Sequence, residues 1–207
     1  MALQNRVTPF GEIVSYSARG LFMGNRAGRF HIAHGKLGNR RWQGKAWLIC
    51  LLDFKDRHRQ VMDTGYTELF FLDEATALAA GHRPCFECRR ADANAFKAAW
   101  ASGNRCEAAP LAPQMDAALH SVRCAVNGRR DLGFADASAL PAGAMVAMDN
   151  TPWLVHGGYL WRWQTSGYDH KTVIDEQKVQ VLTPPQILGA LGAGYQPRLH
   201  PSIDALI

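Results

Sequence analysis

The sequence lacks the features that mark membrane and secreted proteins. No apolar run in its 207 residues is long enough to span a bilayer, so no membrane partner is expected. The N-terminal segment lacks the basic and then apolar pattern of a secretory signal, which predicts a cytoplasmic protein. The cysteines number only five, an odd count, and in a reducing compartment they are expected to remain unpaired thiols.

Familiar catalytic signatures are missing as well. The chain has no Ser-His-Asp, HEXXH or H-x-E deaminase pattern. The glycines near residues 20–28 do not form a P-loop, because no Gly-Lys-Ser/Thr follows them. Internal repeats and low-complexity segments are also absent from the sequence. The function therefore has to be argued from the distribution of charge and from a pair of thiols.

The positive charge is concentrated in the first part of the chain. Of the net charge of +5, residues 1–60 carry an excess of eight positive charges, and the remainder carries a net charge of −3. A basic segment of this kind favours an acidic partner, with nucleic acid, DNA in particular, as the first candidate. A solubilising basic face is the alternative. The arginines expected on a phosphate-facing surface are Arg26, Arg29, Arg40, Arg41, Arg83, Arg89 and Arg90.

Two thiols separated by two residues form the strongest motif. Cys85 and Cys88 follow Pro84, and thiols at this spacing can both reach one ion at about 2.3 Å. The pair supplies half of a tetrahedral zinc site, so Zn²⁺ is the predicted cofactor. Free thiols at the start of a helix are the alternative. The candidates for the missing ligands are Cys50, His31, His34, His120 and Cys124.

A metal with an open coordination position would support catalysis instead of structure alone. Glu87 lies between the two thiols, and Glu68 is a second carboxylate to consider. Asp116 and His120 are four residues apart on a predicted helix and therefore share one face. These residues make a metal-dependent hydrolase or nuclease, acting on a phosphate-bearing substrate, the alternative to a binding protein.

The periodicity of apolar residues predicts an α+β fold. A small antiparallel sheet is expected, followed by the Cys-x-x-Cys turn and helices, and then by a C-terminal β-meander and helix. The predicted strands are 46–54, 60–62, 66–72, 144–148, 153–156, 159–163 and 179–182. The predicted helices are 74–80, 88–100, 112–123 and 183–191.

Residues 126–142 are interpreted as a loop or linker. They would separate a domain over residues 1–130 from a smaller β-rich region over residues 131–207, although the two can also pack as one domain. In the second region Tyr159, Trp161 and Trp163 alternate along one strand, so they share a face. Most of these rings are expected to be buried in the core of a small sheet. The alternative is an exposed face that stacks bases.

Residues 67–90 (TELFFLDEATALAAGHRPCFECRR) resemble the second half of the metal-binding domain of the Ada DNA-repair methyltransferase family. The match consists of a strand, a short alanine-rich helix and the residues Gly81, Arg83, Pro84, Cys85 and Cys88. The resemblance implies that the two thiols bind zinc and that DNA is the partner, in repair or regulation. The longer sequence also resembles a group of uncharacterised bacterial proteins.

In the Ada family an earlier pair of cysteines completes the site, and one of them accepts a methyl group from a DNA phosphotriester. In this chain only Cys50 precedes Cys85. The resemblance therefore adds a third function, a cysteine alkyl acceptor with Cys50, Cys85 or Cys88 as the nucleophile. The leading prediction is a cytoplasmic, zinc-stabilised α+β protein that binds nucleic acid, with DNA favoured.

Overall fold

The computed structural model of the chain describes residues 2–32, 36–56, 60–123 and 132–206. Within these residues helices and strands are mixed, and the predicted α+β class is confirmed. The strands are β1 (Gln4–Val7), β2 (Ile13–Ser15), β3 (Phe22–Arg26), β4 (His31–Ile32), β5 (Lys36–Leu37), β6 (Trp47–Cys50), β7 (Leu69–Phe71), β8 (Arg83–Pro84), β9 (Phe134–Asp136), β10 (Met145–Met148), β11 (Thr151–His156), β12 (Tyr159–Gln164), β13 (Gly167–Val173) and β14 (Lys178–Val181). The helices are α1 (Glu74–Ala79), α2 (Arg90–Gly103), α3 (Ala112–Arg123) and α4 (Pro185–Gly192), with short 3-10 segments at Ala137–Ala139 and Pro201–Leu206.

The first sheet has the strand order β2-β1-β7-β3-β6-β8. The expectation of an antiparallel sheet is wrong here, because β1 pairs with β7 and β6 pairs with β8 in parallel. Parallel partners need a long connection, and β6 reaches β8 only after the chain has added β7 and α1. Residues 60–62 do not form the predicted strand, since the backbone turns there and Met62 has a φ of +56°.

Helix α1 follows its sequence signals closely. The Asp73 side chain accepts a hydrogen bond from the Thr76 amide at 2.9 Å, which caps the first turn. All six residues of the helix are buried. The chain then turns at Gly81, whose φ of +83° favours glycine. A buried short helix ending at this glycine delivers the chain directly into β8 and the thiol motif.

The second sheet is antiparallel throughout, with the order β13-β12-β11-β10-β14-β9. Gly157 and Gly158 join β11 to β12 with φ values of 60° and 81°, as a tight hairpin requires. On β12 the side chains of Trp161 and Trp163 are buried, while Tyr159 is half-buried. Strand β9 lies in the segment 126–142, which the sequence predicts to be a loop. The prediction misses this strand because its pairing with β14 depends on tertiary contacts, and the sequence of a three-residue strand does not show such contacts.

Buried side chains connect the two sheets. One hydrophobic cluster contains Phe71 and Leu119 together with Val146 and Leu160, so it includes residues from both sides of the predicted boundary after residue 130. Helices α2 and α4 pack closely at Gly103, where a Cβ atom would lie 1.8 Å from the Gly189 carbonyl oxygen. In the portions of the chain that the structure describes, no helix has the length and apolar character that crossing a membrane requires.

Candidate metal centre

Three cysteines meet at the end of the first sheet. Parallel pairing aligns Ile49 of β6 with Pro84 of β8, so the next residues on the two strands, Cys50 and Cys85, are neighbours. The Cys85 amide donates a hydrogen bond to the Ile49 carbonyl at 3.0 Å and fixes this register. The sulfur atoms of Cys50, Cys85 and Cys88 all lie within 4.8 Å of one another.

The turn between the two thiols of the motif orients them toward one point. Residues 86–88 form the turn, and the Arg89 amide closes it on the Cys85 carbonyl at 3.0 Å. The Glu87 amide lies 3.4 Å from the Cys85 sulfur and donates to it. A backbone N–H that points at sulfur stabilises the thiolate, so this turn prepares Cys85 to act as a metal ligand.

Hydrogen bonds among the three thiols move their pKa values apart. Bonds from the Cys50 and Cys88 thiols lower the pKa of Cys85 to about 2. The pKa of Cys50 is raised, because its proton is shared with the Cys85 and Cys88 sulfurs and because its half-buried thiol is partly removed from water. For Cys88, the bond from Cys50 lowers the pKa, but its own bond to Cys85 and its burial outweigh this and raise the value. The site therefore carries one thiolate easily, and further ionisation requires a cation to compensate the charge.

This donor set is suitable for a metal ion. Thiolate ligands select soft or borderline metals. Within the described residues, no other group of three or more His, Cys, Asp or Glu side chains is close enough to share an ion, and no fourth such group joins the three sulfurs. Three protein ligands leave one position of a tetrahedron for a water molecule or a substrate. The three cysteines can thus hold a metal ion.

A cavity of about 320 Å³ opens beside the thiols, and all three cysteines line it. Glu68 forms part of its wall, is buried, and accepts a hydrogen bond from the Met62 amide at 2.7 Å. Arg19 lies at the rim, with its guanidinium 5.2 Å from the centre of the Phe70 ring. Sequence reasoning did not single out Arg19 as a site residue, because no motif or spacing connects it to the cysteines.

Of the histidines proposed as further ligands, the two that the structure describes, His31 and His120, do not join the thiols. Both ring nitrogens of His31 have partners in the fold, Thr67 Oγ1 at 2.8 Å and the Asp63 carbonyl at 2.8 Å. His120 instead packs its ring against Trp42. The predicted ligands His34 and Cys124 lie outside the described residues.

The acid predicted to act with His120 has a structural partner instead. Asp116 accepts two hydrogen bonds from Arg83, each of 2.8 Å, and both side chains are buried. This bidentate pair joins α3 to β8 next to Cys85. The expectation that Asp116 serves catalysis and that Arg83 contacts phosphate is therefore corrected, because each neutralises the other inside the protein.

Two more arginines expected on a phosphate-facing surface are also buried. Arg26 stacks over the Trp47 ring at 4.0 Å and donates to the Gly11 carbonyl at 2.9 Å. Arg89 forms ion pairs with Glu74 at 2.9 Å and Asp92 at 2.8 Å. Burial removes both from contact with a nucleic acid. The four that remain exposed are Arg29, Arg40, Arg41 and Arg90.

Comparison of the chain with protein-family models, curated proteins and solved structures finds no match. The resemblance of residues 67–90 to the Ada family therefore stays a prediction from a local motif.

Proposed function

We propose that the protein is a zinc protein that binds nucleic acid, with DNA favoured, in repair or regulation. The observation that carries the proposal is the cluster of Cys50, Cys85 and Cys88, whose sulfur atoms lie within 4.8 Å of one another. Zinc is the proposed ion because it accepts cysteine thiolates in tetrahedral sites and does not change its redox state. A cytoplasmic location fits this proposal, since a reducing compartment keeps such thiols available for a metal.

Zinc bound there would hold the three sulfurs as thiolates and tie the end of β6 to the start of α2. Without a metal this connection is weak, because β8 is only two residues long and pairs with β6 over two positions. In small metal sites the binding free energy contributes directly to folding, and the same linkage is expected for this corner of the sheet.

The nucleic-acid part of the proposal is supported by exposed cations. Residues 1–60 carry an excess of eight positive charges, and Arg29, Arg40 and Arg41 in this segment are exposed. Within the described residues, neither Arg40 nor Arg41 forms an ion pair with an acidic side chain. Cations without acidic partners are available to phosphates, and contact with phosphate makes binding depend steeply on salt.

The double substitution Arg40→Ala with Arg41→Ala tests these contacts. Each phosphate contact contributes about 0.9 to the slope of log K against log salt on duplex DNA, so the variant is expected to lose about 1.8 from that slope. Fluorescence anisotropy of a labelled oligonucleotide at several salt concentrations measures it. Lys178→Ala, an exposed lysine at the start of β14, is the control for loss of charge and should leave the slope unchanged. Absence of any binding at low salt would remove nucleic acid from the proposal.

A cysteine alkyl acceptor is the second candidate, favoured by the position of Cys50. Cys50 and Cys88 are half-buried at the cavity, whereas Cys85 is buried. In the reaction a thiolate sulfur forms a bond to the methyl carbon of a phosphotriester. The bond between carbon and oxygen breaks, and its electron pair leaves with the phosphodiester anion. The hydrolase alternative has less support, because Asp116 and His120 are engaged elsewhere in the fold. Of the four polar groups considered for catalysis, Glu68 and Glu87 line the cavity, and Asp116 and His120 do not.

Alkyl transfer is tested by incubating the protein with DNA that carries methyl phosphotriesters. The expected result is a mass gain of one methylene group, located by peptide mass spectrometry on Cys50 or Cys88. Cys106→Ser should be modified as efficiently as the wild type, because Cys106 is exposed and outside the cluster. If the protein stays unmodified after prolonged incubation with an excess of this DNA, the alkyl-acceptor function is excluded. The zinc proposal does not depend on that result.

A further inference from the structure

Trp42 is an exposed aromatic side chain in the loop between β5 and β6. Its side chain is 39% exposed, which is unusual for an aromatic residue of this size. The residues around it in sequence are Arg40, Arg41, Gln43 and Lys45, all of them exposed. Residues 39–43 line a surface hollow of about 530 Å³. We call residues 39–43 together with Lys45 the Trp42 surface.

The Trp42 ring contacts two other rings of the fold. Its centre lies 6.1 Å from that of Trp47, tilted by 46°, and 6.0 Å from that of His120, at 78°. Trp47 is itself fixed, because the guanidinium groups of Arg26 and Arg123 each lie 4.0 Å from its ring. A ring supported in this way loses little conformational entropy when a ligand stacks on its open side.

The surroundings of the ring are positively charged. Arg41 donates to the carbonyls of Gly38 and Arg40, so its hydrogen-bond partners are backbone groups that leave its charge uncompensated. The pKa of His120, behind Trp42, is lowered by burial and then by the charges of Arg123 and Lys45. A ligand that stacks on this ring is therefore expected to be anionic.

We propose that the Trp42 surface binds single-stranded nucleic acid, with one base stacked on Trp42 and the flanking phosphates on Arg40 and Arg41. A supported aromatic ring beside cations is the arrangement that stacks bases without reading their sequence. A duplex keeps its bases stacked on one another, so it offers no free base face to an exposed ring. The inference rests on the proposed nucleic-acid function and adds the form of the partner and the residue that selects it.

The experiment compares fluorescence anisotropy of labelled oligothymidine, oligouridine and a duplex of equal length on the wild type, Trp42→Ala and Trp42→Phe. Loss of one stacked base is expected to weaken single-strand binding about 5- to 150-fold in Trp42→Ala. Trp42→Phe keeps an aromatic ring and should retain most of the affinity. Duplex binding, which depends on phosphate contact, should change little in either variant.

A second readout does not depend on the folding of the alanine variant. Tryptophan emission of the wild type should be quenched when oligothymidine is added, and Trp42→Phe should lose most of that quenching while still binding. Unchanged single-strand affinity in Trp42→Ala, or preference for the duplex, would overturn the stacking proposal and leave the proposed function standing. Failure to bind any of the three probes at low salt would overturn both. The ratio of affinities for oligothymidine and oligouridine distinguishes DNA from RNA as the source of the strand.

Discussion

Replacing Cys85 with serine is expected to abolish zinc binding and to lower the free energy of unfolding by about 4 kcal/mol. This figure is the linkage expected when free zinc exceeds its dissociation constant about a thousandfold. Cys85 is the right target because it is the most buried of the three thiols, and both other sulfurs donate hydrogen bonds to it. A hydroxyl in its place is a poor zinc ligand and cannot stabilise the cluster as a thiolate does.

Elemental analysis of the purified protein and urea unfolding with and without a chelator measure the two effects. The wild type should contain one zinc ion per chain and lose stability in the chelator, whereas Cys85→Ser should contain none and be insensitive to it. Cys106→Ser makes the same chemical change at an exposed thiol outside the cluster and should behave as the wild type. Equal zinc content in both variants would refute the assignment of the three-cysteine centre.

The helix before this centre could be predicted because its signals are local. Asp73 is followed three residues later by the amide it caps, and Gly81 stands where the chain needs a positive φ. The predicted end at residue 80 differs from the observed one by a single residue. Helix α3 was predicted with its observed ends for the same reason, since Met115 and Leu119 mark its buried face.

The metal centre could be predicted only in part. The spacing of Cys85 and Cys88 is a local property, so the sequence shows it. The third thiol is brought in by parallel pairing of β6 with β8, which depends on strand order across the whole first sheet. Cys50 was one of five candidates, and no local pattern distinguished it from His31, whose ring is engaged by Thr67 and Asp63.

The arginines also show that contacts between distant residues cannot be predicted from local sequence. Arg83 and Arg89 flank the thiol motif and were expected to face phosphate, but both are buried in ion pairs. The partner of Arg83 is 33 residues away, so residue type and spacing cannot reveal the pairing. Arg40 and Arg41, by contrast, remain exposed. Burial, and not the number of positive charges, decides which arginines can bind a nucleic acid.

Acidic residues at the start of α1 connect the part of the fold that carries the three cysteines to the second sheet and to the segment after α4. Asp73 accepts a hydrogen bond from Tyr168 at 2.7 Å, and Glu74 accepts one from Tyr195 at 2.6 Å. Glu74 also pairs with Arg89, which directly follows the thiol motif. The position of the Cys-x-x-Cys turn therefore depends on Tyr195, which lies 121 residues after the Glu74 that it bonds.

Replacing Asp116 with asparagine is expected to lower the free energy of unfolding by about 3–5 kcal/mol. The change leaves the Arg83 guanidinium buried without a counter-charge, and breaking a buried pair on one side costs about that much. Arg83 belongs to β8 and Asp116 to α3, so loss of their ion pair should weaken the contact between this strand and this helix. Urea unfolding of the wild type and the variant, both loaded with zinc, measures the difference.

Asp169→Asn is the matched control, because Asp169 pairs with Arg162 at the same 2.8 Å but at an exposed site. Solvent screens that pair, and its loss should not change the unfolding curve measurably. The double variant Arg83→Met with Asp116→Leu removes both buried charges together and should recover most of the stability lost in Asp116→Asn. If Asp116→Asn unfolds like Asp169→Asn, the ion pair does not hold α3 against β8, and the arginine beside the thiols becomes available for another role.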